Sequence, residues 1–557
     1  MKKHMYLLLV TCIVTVLAIG QTQRLVLVEE ATNASCGPCA SQNPAFDALL
    51  QNNPDKIVAI KYHWYFPGYD PMHNHNTVEN NARVSYYGIN GVPHALLDGV
   101  SLTGSSYTGA PANCTQAKID AAYAVPSPFE ISMSHEIDNG FINVAMMIKA
   151  MEAVTGALRA RMAVIEKHIQ FSSPPGSNGE SLFHDVMKKM LPDHNGTELA
   201  SFEAGDYVIL QGSWEYQNVY DINELGAVGF VQDNTSKGVH QAAKSSTTMF
   251  SPLFSTDAEI LKIDNIAQSY CIGNMQPVVT IRNNGSSDLT SLDITYTISN
   301  EEPVVYQWTG NLGFLESEIV TLPEIDFGVI DINTLNVSLS NPNGQADEYP
   351  SNDIKMMEIP KAYDAPNTIV LILKLDNNPE ETTWEFTNSM GDVLYSGGPY
   401  STAGQQLVEQ LSFDQTDCNT FTIYDAGGDG LTGGGSFAVG FGTSLIAQGN
   451  TFGDMATGQF IISITDIDED LAEQSLNIFP NPVKDMLNVQ FNLIQQEQVR
   501  YSVIDPMGRI VLEKEMGLES PGQKEYHLDL SEMNAGIYYL SVEAGTIKSI
   551  EKIIITK

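Results

Sequence analysis

Two cysteines two residues apart, in Ala34-Ser35-Cys36-Gly37-Pro38-Cys39, are the side chains whose type and spacing most directly suggest chemistry. Such a pair cycles between dithiol and disulfide, one sulfur attacking and the other resolving a mixed disulfide. The apolar run Leu25-Val26-Leu27-Val28 ahead of it reads as a buried strand. Behind it, Pro44-Ala45-Phe46-Asp47-Ala48-Leu49-Leu50 continues a helix, which sets Cys36 at the helix N-terminus. Unpaired N–H groups and the positive end of the helix dipole there favour thiolate over thiol. Pro38 fixes φ and keeps the sulfurs within bridging reach, so Cys36 is the expected nucleophile and Cys39 its resolving partner.

A second constellation is acidic. Asp376 and Glu381 lie in one run, and Asp425 and Asp429 in Tyr424-Asp425-Ala426-Gly427-Gly428-Asp429-Gly430. Carboxylates and carbonyls on Gly-rich turns suit calcium, a hard ion that takes six to eight oxygens, although the spacing is not an EF-hand loop. The competing reading is that Asp and Gly simply make tight turns. His63, His73, His75 and His94 have the residue type of a metal site but lack a completing shell, so solvated loop histidines are expected, with one lining the redox pocket. Glu166, His168, His184 and Asp185 have no nucleophile nearby and read as strand-end and loop residues.

The elements that must position the cysteines follow in order. Lys56 to Trp64 is a second strand, Tyr65 to Asn76 an aromatic, Pro-rich loop, and Thr77 to Tyr87 a helix. Gly91-Val92-Pro93-His94-Ala95-Leu96-Leu97 is a proline opening a short strand. This assembly resembles the thioredoxin superfamily, in which a cis Val-Pro or Ile-Pro bond sits beside the two cysteines. The resemblance implies a cis Pro93, substrate contact through Val92 and His94, and a proton-relaying buried acid at Glu30, six residues before Cys36. The pattern departs at Ser35, where the family has tryptophan, and at His94, where it has threonine.

Length and charge bound the rest. At 557 residues the chain holds roughly four domains of ~100–200 residues. Its net charge of −39 becomes −41 when Lys2 and Lys3 leave with a leader, which argues against nucleic acid or anionic membrane as a partner. Residues 1–20 read as a signal peptide, and no later run reaches ~18 apolar residues, so no transmembrane helix is expected in the mature chain. With Cys12 removed, five cysteines remain. The close pair is then a local device, and at least one of Cys114, Cys271 and Cys418 is free or pairs with another molecule.

The expected fold is multidomain: an N-terminal α/β thioredoxin-like domain at 21–125, then tandem antiparallel β-sandwich (Ig-like) domains. Residues 126–250 alternate as a sandwich with a polar excursion, Ser172 to Gly196, that carries a short helix at His184–Leu191. Together, residues 21–250 resemble Bacteroidetes surface proteins related to a 28-kilodalton outer-membrane protein, which look like redox proteins by fold yet are often described as antigens or adhesins. Residues 257–360 resemble Ig-like spacers, and 366–463 resemble a β-sandwich module of secreted proteins that carries the acids. After an acidic linker, residues 475–557 resemble the type A sorting domain of the type IX secretion system, on "Asn-Pro … Asp-x-x-Gly-Arg … Gly-Ile-Tyr"; alone they read as a seven-strand sandwich.

The functional expectation is an exported protein, secreted or attached to the outer-membrane surface, whose C-terminus meets the type IX translocon. It acts as a thiol–disulfide oxidoreductase of oxidase or isomerase type on protein thiols, with no required cofactor besides calcium if bound. The alternative is a surface adhesin or ligand-binding protein with a structural cysteine pair; a hydrolase has no supporting motif.

Overall fold

A computed structural model describes residues 21–463, 476–493, 496–506, 509–544 and 547–557. The leader with Cys12 and the acidic linker Thr465–Asp470 lie outside the described residues. The chain is mainly β-structure spread over several separate sheets, and it divides into two compact units, Met1–Ser251 and Pro252–Lys557.

The first unit opens with β1 (Val26–Thr32), α1 (Gly37–Gln51), β2 (Ile57–His63), α2 (Pro71–His75), α3 (Thr77–Tyr87), β3 (His94–Leu97), β4 (Val100–Ser101) and α4 (Gln116–Tyr123). β1 and β2 are parallel and buried along their whole lengths, as near-continuous apolar runs in a doubly covered sheet should be. β3 returns antiparallel on the other side of β1. Apolar residues of α1 and α4, among them Phe46, Leu50 and Ile119, pack with Val26, Val28, Ile57 and Ala59. Leu27, Ile60 and Tyr62 share a second cluster with Val84 of α3.

The chain continues with β5 (Phe129–Asp138), β6 (Phe141–Ala150), β7 (Leu158–Gln170), β8 (Leu182–Leu191), β9 (Thr197–Glu198), β10 (Tyr207–Glu215), β11 (Leu225–Asp233) and β12 (Val239–Lys244). β10, β6 and β5 form an antiparallel sheet of their own. β12, β11, β7 and β8 instead extend the first sheet, in the order β12-β11-β7-β8-β2-β1-β3-β4. Segments on both sides of residue 125 therefore share one sheet.

The helix expected at His184–Leu191 is a strand. Phe183, Val186, Met187, Met190 and Leu191 are its buried apolar positions, at spacings that match one face of a helix. A bulge where Ile165–Val164 face Met187 to Lys189 breaks the alternation of β8, and Asp185 has φ of 52°. Pairing with β7 supplies the backbone hydrogen bonds that a helix would have made internally. The loop expected at 65–76 likewise contains a helical turn, α2, capped by Asp70, whose carboxylate accepts the N–H groups of Met72 and His73.

In the second unit, strands Val304–Leu312, Leu289–Ile298, Ile332–Ser340 and Ile354–Pro360 form one sheet, in that order, and Ala258–Asp264, Val278–Asn283 and Ser317–Thr321 another. Residues 363–462 make a five-stranded and a four-stranded sheet around Phe386, Phe421 and Phe460. The last seven strands, from Asn477–Phe479 to Ile547–Ile555, form sheets of three and four. Cys271 and Cys418, left unassigned in the sequence, are bonded to each other across 147 residues, and among the described residues Cys114 is the free cysteine, buried.

Candidate functional site

The end of β1 hands the chain to Ala34-Ser35-Cys36, and Cys36 caps α1 with extended backbone (φ −88°, ψ 109°). Cys36 and Cys39 form a disulfide. The Cys39 N–H donates to Cys36 Sγ at 3.0 Å, and Pro38 stands in the first turn, where its missing N–H costs nothing. Val92–Pro93 is cis, and Cys36 Sγ lies 3.5 Å from the Val92 carbonyl oxygen. The His94 ring packs against Gly109 and meets the Ser101 hydroxyl at 2.8 Å, so at this place it is the backbone of Val92 that reaches the sulfur.

Glu30 is fully buried, with Lys61 Nζ 3.0 Å from its carboxylate, and Lys61 also pairs with Asp47. Burial lifts the Glu30 carboxyl; Lys61 opposes the rise and Asp47 adds to it, leaving the group at about 7. Burial works against the Lys61 ammonium too, but Glu30 and Asp47 outweigh it and hold the group well above the usual lysine value. The sequence pointed to Glu30 but not to its partners. A lysine at the centre of the apolar strand Ile57-Val58-Ala59-Ile60-Lys61-Tyr62 is the signal that would have found them, since a buried charge needs a counter-charge.

Two further segments grip the cysteine loop. Asp70 is buried, accepts the Ala34 N–H at 2.7 Å and faces His63 Nδ1 at 2.6 Å. Its burial alone would raise the carboxyl, yet His63 and the N–H groups of Ala34 and His73 bring it below the ordinary carboxylate value. From the other side, Asn178 donates through Nδ2 to the carbonyls of Asn33 and Cys36, and the Ser177 N–H donates to Ser35 Oγ. Gly176 lies so close that a Cβ there would stand 2.1 Å from the Ala34 carbonyl oxygen. With these contacts in place Cys36 is 1 % exposed and Cys39 0 %.

The histidines expected as solvated loop residues are mostly inside. His63 and His73 are buried, and His75 is drawn down to about 4 by burial and by Lys188. His168 and His184 stack face to face across β7 and β8, with ring centroids 5.2 Å apart. Glu166 is buried, with Lys188 Nζ 3.2 Å away and the N–H groups of Tyr220 and Asp221 donating to it.

Of the four acids read as calcium ligands, Glu381, Asp425 and Asp429 come together, with one carboxylate oxygen from each within 4.8 Å of the others. Asp376 is not in that group; it is buried and caps the turn by accepting the Asn378 N–H. Asp425 accepts the N–H groups of Asp429 and Gly430, so part of its oxygen capacity already serves the turn.

Residues 477–556 match the family described as a secretion system C-terminal sorting domain. The chain carries a sorting tail. The type IX domain expected at 475–557 is present, and a protein bearing it is exported to the cell surface or beyond. Among solved structures, the chain is similar to HBP35 of Porphyromonas gingivalis, at 13 % identity over 61 % of this chain and 99 % of that one, with a TM-score of 0.35. A protein of Agrobacterium tumefaciens is similar at 15 % identity over 42 % of this chain and 98 % of that one, with a TM-score of 0.28. The BSP domain of a biofilm-associated protein follows at 10 % identity over 77 % and 96 %, with a TM-score of 0.16. No curated protein matches the chain. Among the described residues, no helix is long and apolar enough to cross a membrane.

Proposed function

We propose that the first unit carries a thioredoxin-like thiol–disulfide exchange centre, displayed by an exported protein. The observation that carries the reading is the seat of Cys36. Its sulfur caps α1, receives the Cys39 N–H and lies 3.5 Å from the carbonyl before Pro93. The parallel β1–β2 pair with β3 antiparallel beside it supports the same reading, as does a buried acid one strand-end away from the pair.

In the proposed exchange, a substrate thiolate attacks Cys36 Sγ and the Cys36–Cys39 bond breaks, with Cys39 leaving as thiolate and taking up a proton. A second substrate thiolate attacks its own sulfur in the mixed disulfide and releases Cys36 as a thiolate held by the helix terminus. The substrate loses two electrons and gains a disulfide. Glu30, whose carboxyl keeps its proton to about 7, is the proposed proton donor to Cys39. Val92 is the proposed backbone partner of an extended substrate, beside Pro93 and His94.

One observation favours the second reading, a surface adhesin with a structural disulfide: both sulfurs are covered while Gly176 to Asn178 sit on the loop. Insulin reduction driven by dithiothreitol separates the two. The redox reading expects catalysis that is lost in Cys36→Ser and faster than wild type in Asn178→Ala, which loosens the covering segment. Equal rates for wild type and Cys36→Ser support the adhesin. For the second unit, calcium is proposed at Glu381, Asp425 and Asp429.

A further inference from the structure

Three of the chain's seven arginines, Arg83, Arg159 and Arg161, line one cavity of about 500 Å³, together with Tyr86, His194 and Asn195. In a protein of net charge −39 this is a concentration of positive charge that the fold neutralises only in part, through Glu29 and Glu198. Around the single ring of Tyr86 stand the Arg83 guanidinium at 4.7 Å, that of Arg161 at 5.1 Å and Lys237 Nζ at 5.2 Å. The buried counter-charge is Glu29, which Arg83 meets at 2.7 Å and which also accepts hydrogen bonds from Tyr62 and Tyr87. Arg159 pairs with an exposed carboxylate, Glu198, at 3.0 Å and reaches the Gly196 carbonyl at 3.5 Å.

The donors are also under-used. Arg83 is 1 % exposed, yet among the described residues its Nε and Nη1 have no hydrogen-bond acceptor. Arg161 gives one N–H from each of its nitrogens to a neutral oxygen, those of Gln232, Asn234 and the His194 carbonyl, which leaves a second N–H on Nη1 and on Nη2. Burial, with Arg83 beside it, pulls Arg161 below the usual guanidinium value. Like charges held this close in a low-dielectric wall repel strongly, and an entering anion would relieve all of them at once. Guanidinium forks match the oxygens of phosphate and sulfate.

We propose that this cavity binds a phosphate or sulfate group, free or carried on a small polar molecule. Arg159 and Arg161 grip the oxyanion, and Arg83 with Lys237 supplies the field from behind. The volume exceeds that of a bare ion, and besides Ala82 and the Tyr86 ring the rest of the wall is amide and imidazole from Asn195, Asn234 and His194, which suits a polar body such as a sugar. The site shares no residue with the cysteine centre, and the proposal does not depend on the redox reading.

The test is isothermal titration calorimetry on the purified full chain in low-chloride buffer, with inorganic phosphate, sulfate, glucose 6-phosphate and glucose 6-sulfate as probes. Saturable binding is expected at millimolar or lower concentration. Tighter binding of the esters assigns the site to a phosphorylated or sulfated solute, and equal binding assigns it to the free ion. Arg161 is a packing residue, so the variants are Arg159→Gln and the exposed Asn195→Asp, both expected to keep the wild-type melting temperature without ligand. Each should weaken binding by about tenfold or more, the loss of one charge-assisted hydrogen bond or the addition of one like charge. Absence of saturable heat with all four probes up to 10 mM overturns the proposal, as does binding unaltered in both variants.

Discussion

Replacing Glu30 by Gln should change how the stability of the first unit responds to pH. In the unfolded chain this carboxyl titrates near 4.5, and in the folded protein near 7, because burial outweighs Lys61. Below about pH 4.5 both states hold the proton and the group contributes no pH dependence. Between about 4.5 and 7 the unfolded chain releases the proton while the folded protein keeps it, so stability falls as pH rises. Above about 7 both are ionised and the loss is complete. At 1.36 kcal/mol per pK unit, the total is about 3 kcal/mol. Glu30→Gln removes this slope. It also leaves Lys61 paired with Asp47 alone, a constant penalty over the same range because Lys61 stays charged throughout. Asp185 also titrates near 7 in the folded protein, but its contribution is common to both proteins and cancels in their difference. Amide hydrogen exchange in peptides covering β1 and β2, for wild type and variant from pH 4 to 8, reads the local opening free energy directly. The variant should gain about 3 kcal/mol on wild type between the two ends of that range. Parallel profiles would refute the assignment of a retained proton to Glu30.

Three other outcomes follow from the structure. Cys271→Ser with Cys418→Ser should lower the stability of the second unit by up to about 5 kcal/mol, the loop-closure value for 147 residues, read as a drop in denaturant midpoint with a steeper slope, since the unfolded chain without the cross-link exposes more surface. If Glu381, Asp425 and Asp429 hold calcium, 2 mM calcium should raise the melting temperature of the second unit by the equivalent of about 2–3 kcal/mol at a hundredfold excess over Kd. Asp425→Asn should abolish that rise, whereas an unchanged melting temperature with calcium or chelator would reduce the cluster to a turn. Cys114 is buried, and burial, which Lys118 opposes, pushes its thiol up to about 11. It should resist iodoacetamide in the native protein at pH 8 and react only on unfolding; fast native labelling would contradict its burial.

The sequence was most legible where period and chemistry agreed. β1, α1 and β2 follow from apolar runs around Cys-Gly-Pro-Cys, and α3 spans Thr77–Tyr87 as expected because Asn76 caps it and Gly88 ends it in left-handed backbone. The sorting tail was legible through a resemblance carried by the succession Asn-Pro, Asp-x-x-Gly-Arg and Gly-Ile-Tyr, where strand pattern alone gave a seven-strand sandwich. β8 was misread because its bulge lets buried residues fall at helical spacing, and a one-dimensional pattern does not reveal which strand will pair with it. For the same reason the continuation of the first sheet into β7, β11 and β12 was hidden: a strand's neighbours are chosen by long-range pairing. The cysteine pair and Glu30 were visible, whereas Lys61, Asp47, Asp70 and Asn178 join the site through tertiary contacts between residues 14 to 145 positions apart. The pairing of Cys271 with Cys418 is of that kind too.

The central claim is that Cys36 is an activated nucleophile, and the alkylation rate of the reduced protein tests it most directly. After reduction, iodoacetamide labelling of Cys36 followed by mass spectrometry from pH 4 to 10 should give a titration well below the free-cysteine value of about 8.5. Labelling of Cys39 should lag behind it. A Cys36 midpoint at or above about 8.5, or equal labelling of the two sulfurs, would contradict the account and leave the pair a structural cross-link.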